Sequence, residues 1–267
     1  IKECDWSSDV CSSDLMVWVI TGDGDALSIG GNHLIHAMRR NVDLKMIMFN
    51  NRIYGLTKGQ ASPTSPIGKK TKSTPLGTIE TPIIPINLVA AAEASFIARS
   101  VDTHSEHLQE MLHRAGEHRG SAFVEVLQNC NIFNDGAWRD FTDKSVKEDR
   151  MLVLKHGEPM IFGKERDKGI RLDGMRPEIV SIGAGGASVA DLLVHDETTD
   201  DPTMTHILSR MWWPDFPVPV GVFRRVPRPT HDQLLIEQID GAKAARAAKG
   251  PVDLQKLLAS GETWTVE

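Results

Sequence analysis

No apolar stretch in these 267 residues approaches the roughly 20 that a membrane-spanning helix needs. Positive charge is in deficit: 30 Lys and Arg against 36 Asp and Glu give a net charge of −6. That balance argues against a general nucleic-acid binder and against a membrane-surface protein. Cysteine is scarce. Cys4, Cys11 and Cys130 have no secreted-framework spacing, so a reducing cytoplasm is the expected compartment. No repeat is found beyond a doubled Ser-Ser-Asp near the start. What is present is the composition of an ordinary soluble globular protein, long enough for one large or two modest domains.

Residues 1–15 (IKECDWSSDVCSSDL) carry no helical or strand period. Back-translated, residues 11–15 resemble the end of a sequencing-library adapter. We expect this segment to be an assembly artefact standing in place of the natural N-terminus, with no part in the fold.

From residue 16 the pattern becomes regular. Residues 16–21 (MVWVIT) and 44–49 (LKMIMF) are continuous apolar runs, as in strands buried on both faces. Between them, Leu27, Gly30, Leu34, Ile35 and Met38 fall at helical spacing, which predicts one helix over 26–40. Strand, helix, strand in this length predicts a parallel sheet. Residues 51–85 read as a long loop rich in Gly, Pro, Ser, Thr and Lys, and loops of that length are commonly functional. A short helix over 86–93 and a strand over 95–100 follow. Next comes a helix over 105–118, capped by Thr103 with Glu106, and then a strand over 122–127. The first domain is therefore placed at 16–128, with a smaller irregular region over 129–230 and a helical tail over 231–267. In the second region, 151–154 and 178–182 are strand-like and 202–211 is helical. The prolines between 214 and 229 predict an extended, turn-rich segment.

Two loops at strand ends carry the chemistry. Gly22-Asp23-Gly24-Asp25 closes the first run, and Asn50-Asn51-Arg52-Ile53-Tyr54-Gly55-Leu56-Thr57-Lys58-Gly59-Gln60 follows the second. Alone, Gly-Asp-Gly is a common turn. At the ends of neighbouring parallel strands, however, Asp23 can give a hard oxygen to Mg²⁺. The Asn51 amide can give a second oxygen and a backbone carbonyl two residues on a third. Free N–H groups from Gly24 onward suit a diphosphate.

This pairing resembles the diphosphate-binding motif of thiamine diphosphate enzymes. GDGDALSIGGNH, HAMRRNVDLKMIMFNNRIYGLTKGQASPTSP, GSAFVEVLQNCNIFNDG and DLLVHDE further resemble the β subunit of 2-oxoacid:ferredoxin oxidoreductases, most closely the 2-oxoglutarate type. The resemblance implies an α/β thiamine diphosphate-binding fold with a mainly parallel sheet. It also implies oxidative decarboxylation to an acyl-coenzyme A, with electrons leaving through an iron–sulfur cluster to ferredoxin. The implied cofactor residues are Gly22, Asp23, Gly24, Asp25, Asn51, Ile53, Gly55, Leu56 and Thr57, with Asp23, Asn51 and the Ile53 carbonyl on Mg²⁺. Leu56 and Lys58 match positions at the substrate end, where Lys58 can attract the distal carboxylate of 2-oxoglutarate. Cys130 matches one thiolate of a [4Fe–4S] cluster. The family's other three cysteines lie upstream and are missing, and Cys4 and Cys11 have the wrong spacing. The activating glutamate is implied to sit in a partner α subunit.

Two alternatives stay open on sequence: a non-oxidative thiamine diphosphate decarboxylase or synthase, and a non-catalytic cofactor-binding assembly module. Weaker features are read as structural. They include the glycine-rich residues 181–188, the lysines at 69, 70 and 72, the pair His33 and His36, and Trp212-Trp213, which suits packing or a subunit interface.

Overall fold

The computed structural model describes residues 15–56, 58–183, 185–248, 253–262 and 264. The expected artefact, apart from Leu15, and the site residue Thr57 therefore lie outside the described residues. No described helix is long and apolar enough to cross a membrane.

The first strand, β1, is Trp18–Gly22. Two short helices follow where one was expected: α1 (Asp23–Leu27) and α2 (Gly31–Arg39). Gly30 permits the break: its N–H bonds to the Asp25 carbonyl at 2.9 Å, where a Cβ would stand 2.6 Å from that oxygen. Only glycine admits this close approach. Strand β2 (Lys45–Asn50), helix α3 (Pro85–Ala91), strand β3 (Phe96–Val101), helix α4 (Ser105–Glu117) and strand β4 (Ala122–Leu127) follow in the expected order. The expected Thr103 cap does not form. His104 holds the N-cap position of α4, and no side chain caps it.

Strands β1, β2, β4 and β3 lie side by side and parallel. Every residue of β3 and β4 is buried, as befits central strands covered on both faces. One face packs Leu34, Met38, Met48, Ile86, Val89 and Phe123 into a core under α2 and α3. The other packs Phe96, Val124 and Val126 against Met111 and Ala115 of α4.

The sheet runs on past residue 128. Short helices α5 (Arg139–Thr142) and α6 (Lys147–Arg150) lead into β5 (Met151–Val153). The expected turn-rich stretch holds an eight-residue strand, β9 (Val218–Arg225), antiparallel to β3 and parallel to β5. The full order is β1-β2-β4-β3-β9-β5, mixed but mainly parallel. Pro219 is tolerated because β3 pairs only from Gly221 onward, so its missing N–H breaks no bond to β3.

A separate three-stranded antiparallel sheet joins β6 (Ile161–Phe162), β7 (Lys168–Asp173) and β8 (Arg176–Ser181). Only part of β8 was expected. Helix α7 (Thr203–Ser209) fills out the first core, and α8 (His231–Ala247) opens with the Thr230 N–H donated to Gln233 Oε1 at 3.0 Å.

Candidate functional site

Register places the chemistry. Gly22 pairs with Phe49 and Asn50 with Leu127, so Asp23, Asn51 and Gln128 leave three adjacent parallel strands at one edge. In open parallel sheets the carboxyl ends of the strands are where ligands bind.

Asp23 is 1% exposed. Its Oδ2 accepts from Ser62 Oγ at 2.7 Å and from the Thr64 hydroxyl. Burial pushes the Asp23 carboxyl above its ordinary 3.8. The Thr64 and Ser62 hydroxyls and the backbone N–H of Asn51 oppose the rise without cancelling it. A buried carboxyl that resists ionisation is one that a nearby cation would relieve.

Asn51 is oriented from both sides. Its Nδ2 reaches Gln128 Oε1 at 3.5 Å, and its Oδ1 accepts the Ile53 N–H at 3.3 Å. Its carbonyl accepts from Asn134 Nδ2 at 2.8 Å. Ile53 is buried, and its carbonyl accepts no hydrogen bond among the described residues. The Asp23 carboxylate, the Asn51 amide and the Ile53 carbonyl form an all-oxygen donor set, which suits a small hard cation.

Gly24 matters because Tyr54 covers it. A Cβ there would lie 2.0 Å from Tyr54 Cδ2. Tyr54 donates its hydroxyl to Asp25 Oδ1 at 2.8 Å, which clasps the two loops together. Tyr54 and Gln60 exchange two backbone hydrogen bonds, 2.8 and 2.7 Å. Gly55 is exposed, Leu56 is 76% exposed, and Lys58 is exposed in left-handed backbone at φ 66°. Phe133 packs beneath, 3.2 Å from where a Gly59 Cβ would sit.

The structure thus brings Asp23, Asn51 and Ile53 together. It places Gly22, Gly24 and Asp25 beside them and sets Gly55, Leu56 and Lys58 on the loop outside. Cys130 is half-buried in a small bridge to Asn134 and is the one described cysteine. No group of three or more His, Cys, Asp or Glu gathers to hold a metal among the described residues. The described residues therefore do not fit a four-thiolate cluster.

Three contributors were missed on sequence. Ser62 and Thr64 hold Asp23, and Asn134 holds the Asn51 carbonyl. Their signal was a run of hydroxyl residues in the long loop and a second asparagine after β4, neither of which specifies a partner.

Fold and strand edge together define a thiamine-diphosphate-binding domain. The family described as thiamine pyrophosphate enzyme, C-terminal TPP binding domain, matches residues 9–126. More narrowly, the chain is 46% identical over 255 residues to 2-oxoglutarate oxidoreductase subunit KorB of Mycobacterium tuberculosis, covering 95% of this chain and 67% of that protein. It is 45% identical over 137 residues to the 2-oxoacid:ferredoxin oxidoreductase β subunit of Saccharolobus solfataricus, covering 51% of this chain and 45% of that one. It also superposes, with a TM-score of 0.64 and 28% identity, on 2-oxoglutarate:ferredoxin oxidoreductase from Magnetococcus marinus with 2-oxoglutarate, coenzyme A and succinyl-CoA bound. That match covers 96% of this chain and 70% of the other. The chain belongs to the family of 2-oxoacid:ferredoxin oxidoreductase β subunits, as its motifs implied.

Proposed function

We propose that this chain supplies the cation- and diphosphate-binding half of a thiamine diphosphate site in a 2-oxoacid:ferredoxin oxidoreductase acting on 2-oxoglutarate. One observation carries the reading: a buried Asp23 carboxyl, held by the Ser62 and Thr64 hydroxyls, ends one strand while Asn51 follows the end of its parallel neighbour. Asp23, the Asn51 amide and the Ile53 carbonyl would hold Mg²⁺. Gly22, Gly24, Asp25, Gly55, Leu56 and Thr57 would border the diphosphate. Bound thiamine diphosphate supplies the electron sink for loss of carbon dioxide from a 2-oxoacid.

The chain's own residues bind and orient. Ser62 and Thr64 fix one Asp23 oxygen and leave the other for a cation. The Tyr54–Asp25 bond ties the segment after β2 to the mouth of the site. There Lys58 would attract the distal carboxylate of 2-oxoglutarate, with Leu56 beside it.

The remaining parts belong to a larger assembly. A partner α subunit would complete the cofactor site, coenzyme A would accept the acyl group and ferredoxin the electrons, all in the cytoplasm. Cys130 would give one thiolate of a [4Fe–4S] cluster whose other ligands the described residues do not supply. The test is turnover of 2-oxoglutarate by the chain assembled with its α partner, with a viologen dye as acceptor. Activity that vanishes in Asp23→Ala supports the reading; unchanged activity in that variant overturns it.

A further inference from the structure

Arg52 stands between Asn51 and Ile53, and its backbone is left-handed at φ 56°. That conformation is unfavourable for an arginine, so the surroundings must hold it. Three contacts do. Its N–H meets Asn50 Oδ1 at 3.3 Å, and its carbonyl accepts from Ser65 Oγ at 2.8 Å. Its guanidinium lies over the Trp138 ring, 3.8 Å from the centroid, and 5.8 Å from that of Trp212.

Those aromatics are fixed in turn. Trp138 donates Nε1–H to the Asn50 carbonyl at 2.8 Å and stacks on Trp212 at 5.6 Å and 21°. Trp212 lies under Arg99, whose guanidinium carbon is 4.4 Å from the ring centroid. Arg99 pairs with Glu125 at 2.7 Å, both side chains fully buried. Glu125 accepts from Asn50 Nδ2 at 2.7 Å. The contacts close into a ring: Arg52, Trp138, Trp212, Arg99, Glu125, Asn50. A cavity of about 230 Å³ opens beside it, walled in part by Arg52, Thr64, Trp138 and Trp212. With open space alongside, the guanidinium is held by the ring contacts rather than by close packing on every side.

We propose that Arg52 is a positioning residue for the cation–diphosphate cradle. Its clamp on Trp138 would hold the left-handed turn that aims the Asn51 amide and the Ile53 carbonyl at Asp23. This inference rests on the proposed cation–diphosphate reading of that edge. Because Trp138 and Trp212 come from the second half of the chain, the cradle would form only when that half is packed. A flat guanidinium is needed, since an ammonium has the charge but no face to stack on indole.

The test is calorimetric titration of the full chain with thiamine diphosphate at several Mg²⁺ concentrations, with melting temperature as a control for folding. Arg52→Gly permits the turn without strain, because glycine accepts positive φ, but removes the clamp that selects it over other conformations. Arg52→Lys keeps the charge without the stack. Both are expected to weaken binding about tenfold and to raise the Mg²⁺ needed for half-saturation. Trp138→Leu should do the same, and combining it with Arg52→Lys should add little further loss. Asp23→Asn is the reference. If Asp23→Asn loses binding while both Arg52 variants bind like the parent, the inference is overturned and the reading of the site stands. If Asp23→Asn itself binds like the parent, that reading falls and the inference with it.

Discussion

The two ends of the parallel sheet are built on opposite rules. At the amino ends of the strands a dense network among the described residues answers most polar groups, with Thr230 Oγ1 and Arg224 Nε left buried without a partner. Asn41, left-handed at φ 51°, gives Nδ2 to the Arg228 and Pro229 carbonyls at 3.0 and 3.1 Å, and takes bonds on Oδ1 from Ser95 Oγ at 2.6 Å and Ser121 N at 2.9 Å. Lys45 Nζ reaches Asp43 at 2.6 Å and the His118 and Gly120 carbonyls at 2.5 and 2.9 Å. At the carboxyl ends, the Asp23 carboxyl, the Asn51 amide and the Ile53 carbonyl bring three oxygen acceptors to one edge, and the Ile53 carbonyl takes no hydrogen bond among the described residues. Satisfied polar networks make an end rigid and stable, whereas oxygen acceptors gathered at one edge suit the cation proposed there.

The largest test of that contrast is to neutralise the reluctant carboxyl. Asp23→Asn should weaken Mg²⁺-dependent thiamine diphosphate binding by more than about 100-fold, beyond the loss typical of outer-shell partners. The same variant should melt higher than the parent in the absence of divalent cations. An amide can still accept from Ser62 and Thr64, and it carries no buried charge. Differential scanning calorimetry with and without Mg²⁺ checks both halves.

Next in size is Glu125→Ala, which strands Arg99 as an unpaired buried charge between the two ends. Loss of about 3–5 kcal/mol of stability is expected, read by urea denaturation. Gly24→Ala should cost about 1–3 kcal/mol by driving Tyr54 off the Asp25 loop. Tyr54→Ala in the same chain should recover part of that loss, whereas a turn glycine with no neighbour would show no such recovery.

Acid should act on the two ends with opposite sign. His118 is pushed down to about 4 by burial first and then by Lys45 and Arg225. Its folded value lies below the ordinary 6.5, so its contribution is complete above that pH and is lost as pH falls toward 4. Asp23 is raised, so its penalty is absent below 3.8, grows as pH rises from there to the folded value and is complete above it. Melting temperature against pH should therefore fall below about pH 6.5 in the parent and fall less in His118→Gln. The smallest effect on folding is expected from Lys58→Ala. It should leave the melting temperature unchanged while raising the KM for 2-oxoglutarate relative to pyruvate.

Much of this was legible in the chain, unevenly. Strands β1, β2 and β4 declare themselves because buried parallel strands are continuous apolar runs, and Asp23 and Asn51 sit where those runs stop. Strand β9 was hidden by Pro217 and Pro219, which read as breakers until the register shows that β3 pairs only from Gly221. The β7–β8 hairpin had a signal in Asp173-Gly174, with Gly174 left-handed at φ 59°, but its strands alternate weakly. Ser62, Thr64 and Asn134 were illegible because a hydroxyl or amide names no partner until the loop is folded. The Arg52–Trp138 clamp joins residues far apart in sequence, and no local pattern predicts it.

The measurement closest to the central claim is the affinity of thiamine diphosphate for the parent chain and for Asp23→Asn, each with and without Mg²⁺. Mg²⁺-dependent binding is expected in the parent, and Asp23→Asn is expected to abolish it. Binding that ignores both the cation and the substitution would contradict that claim.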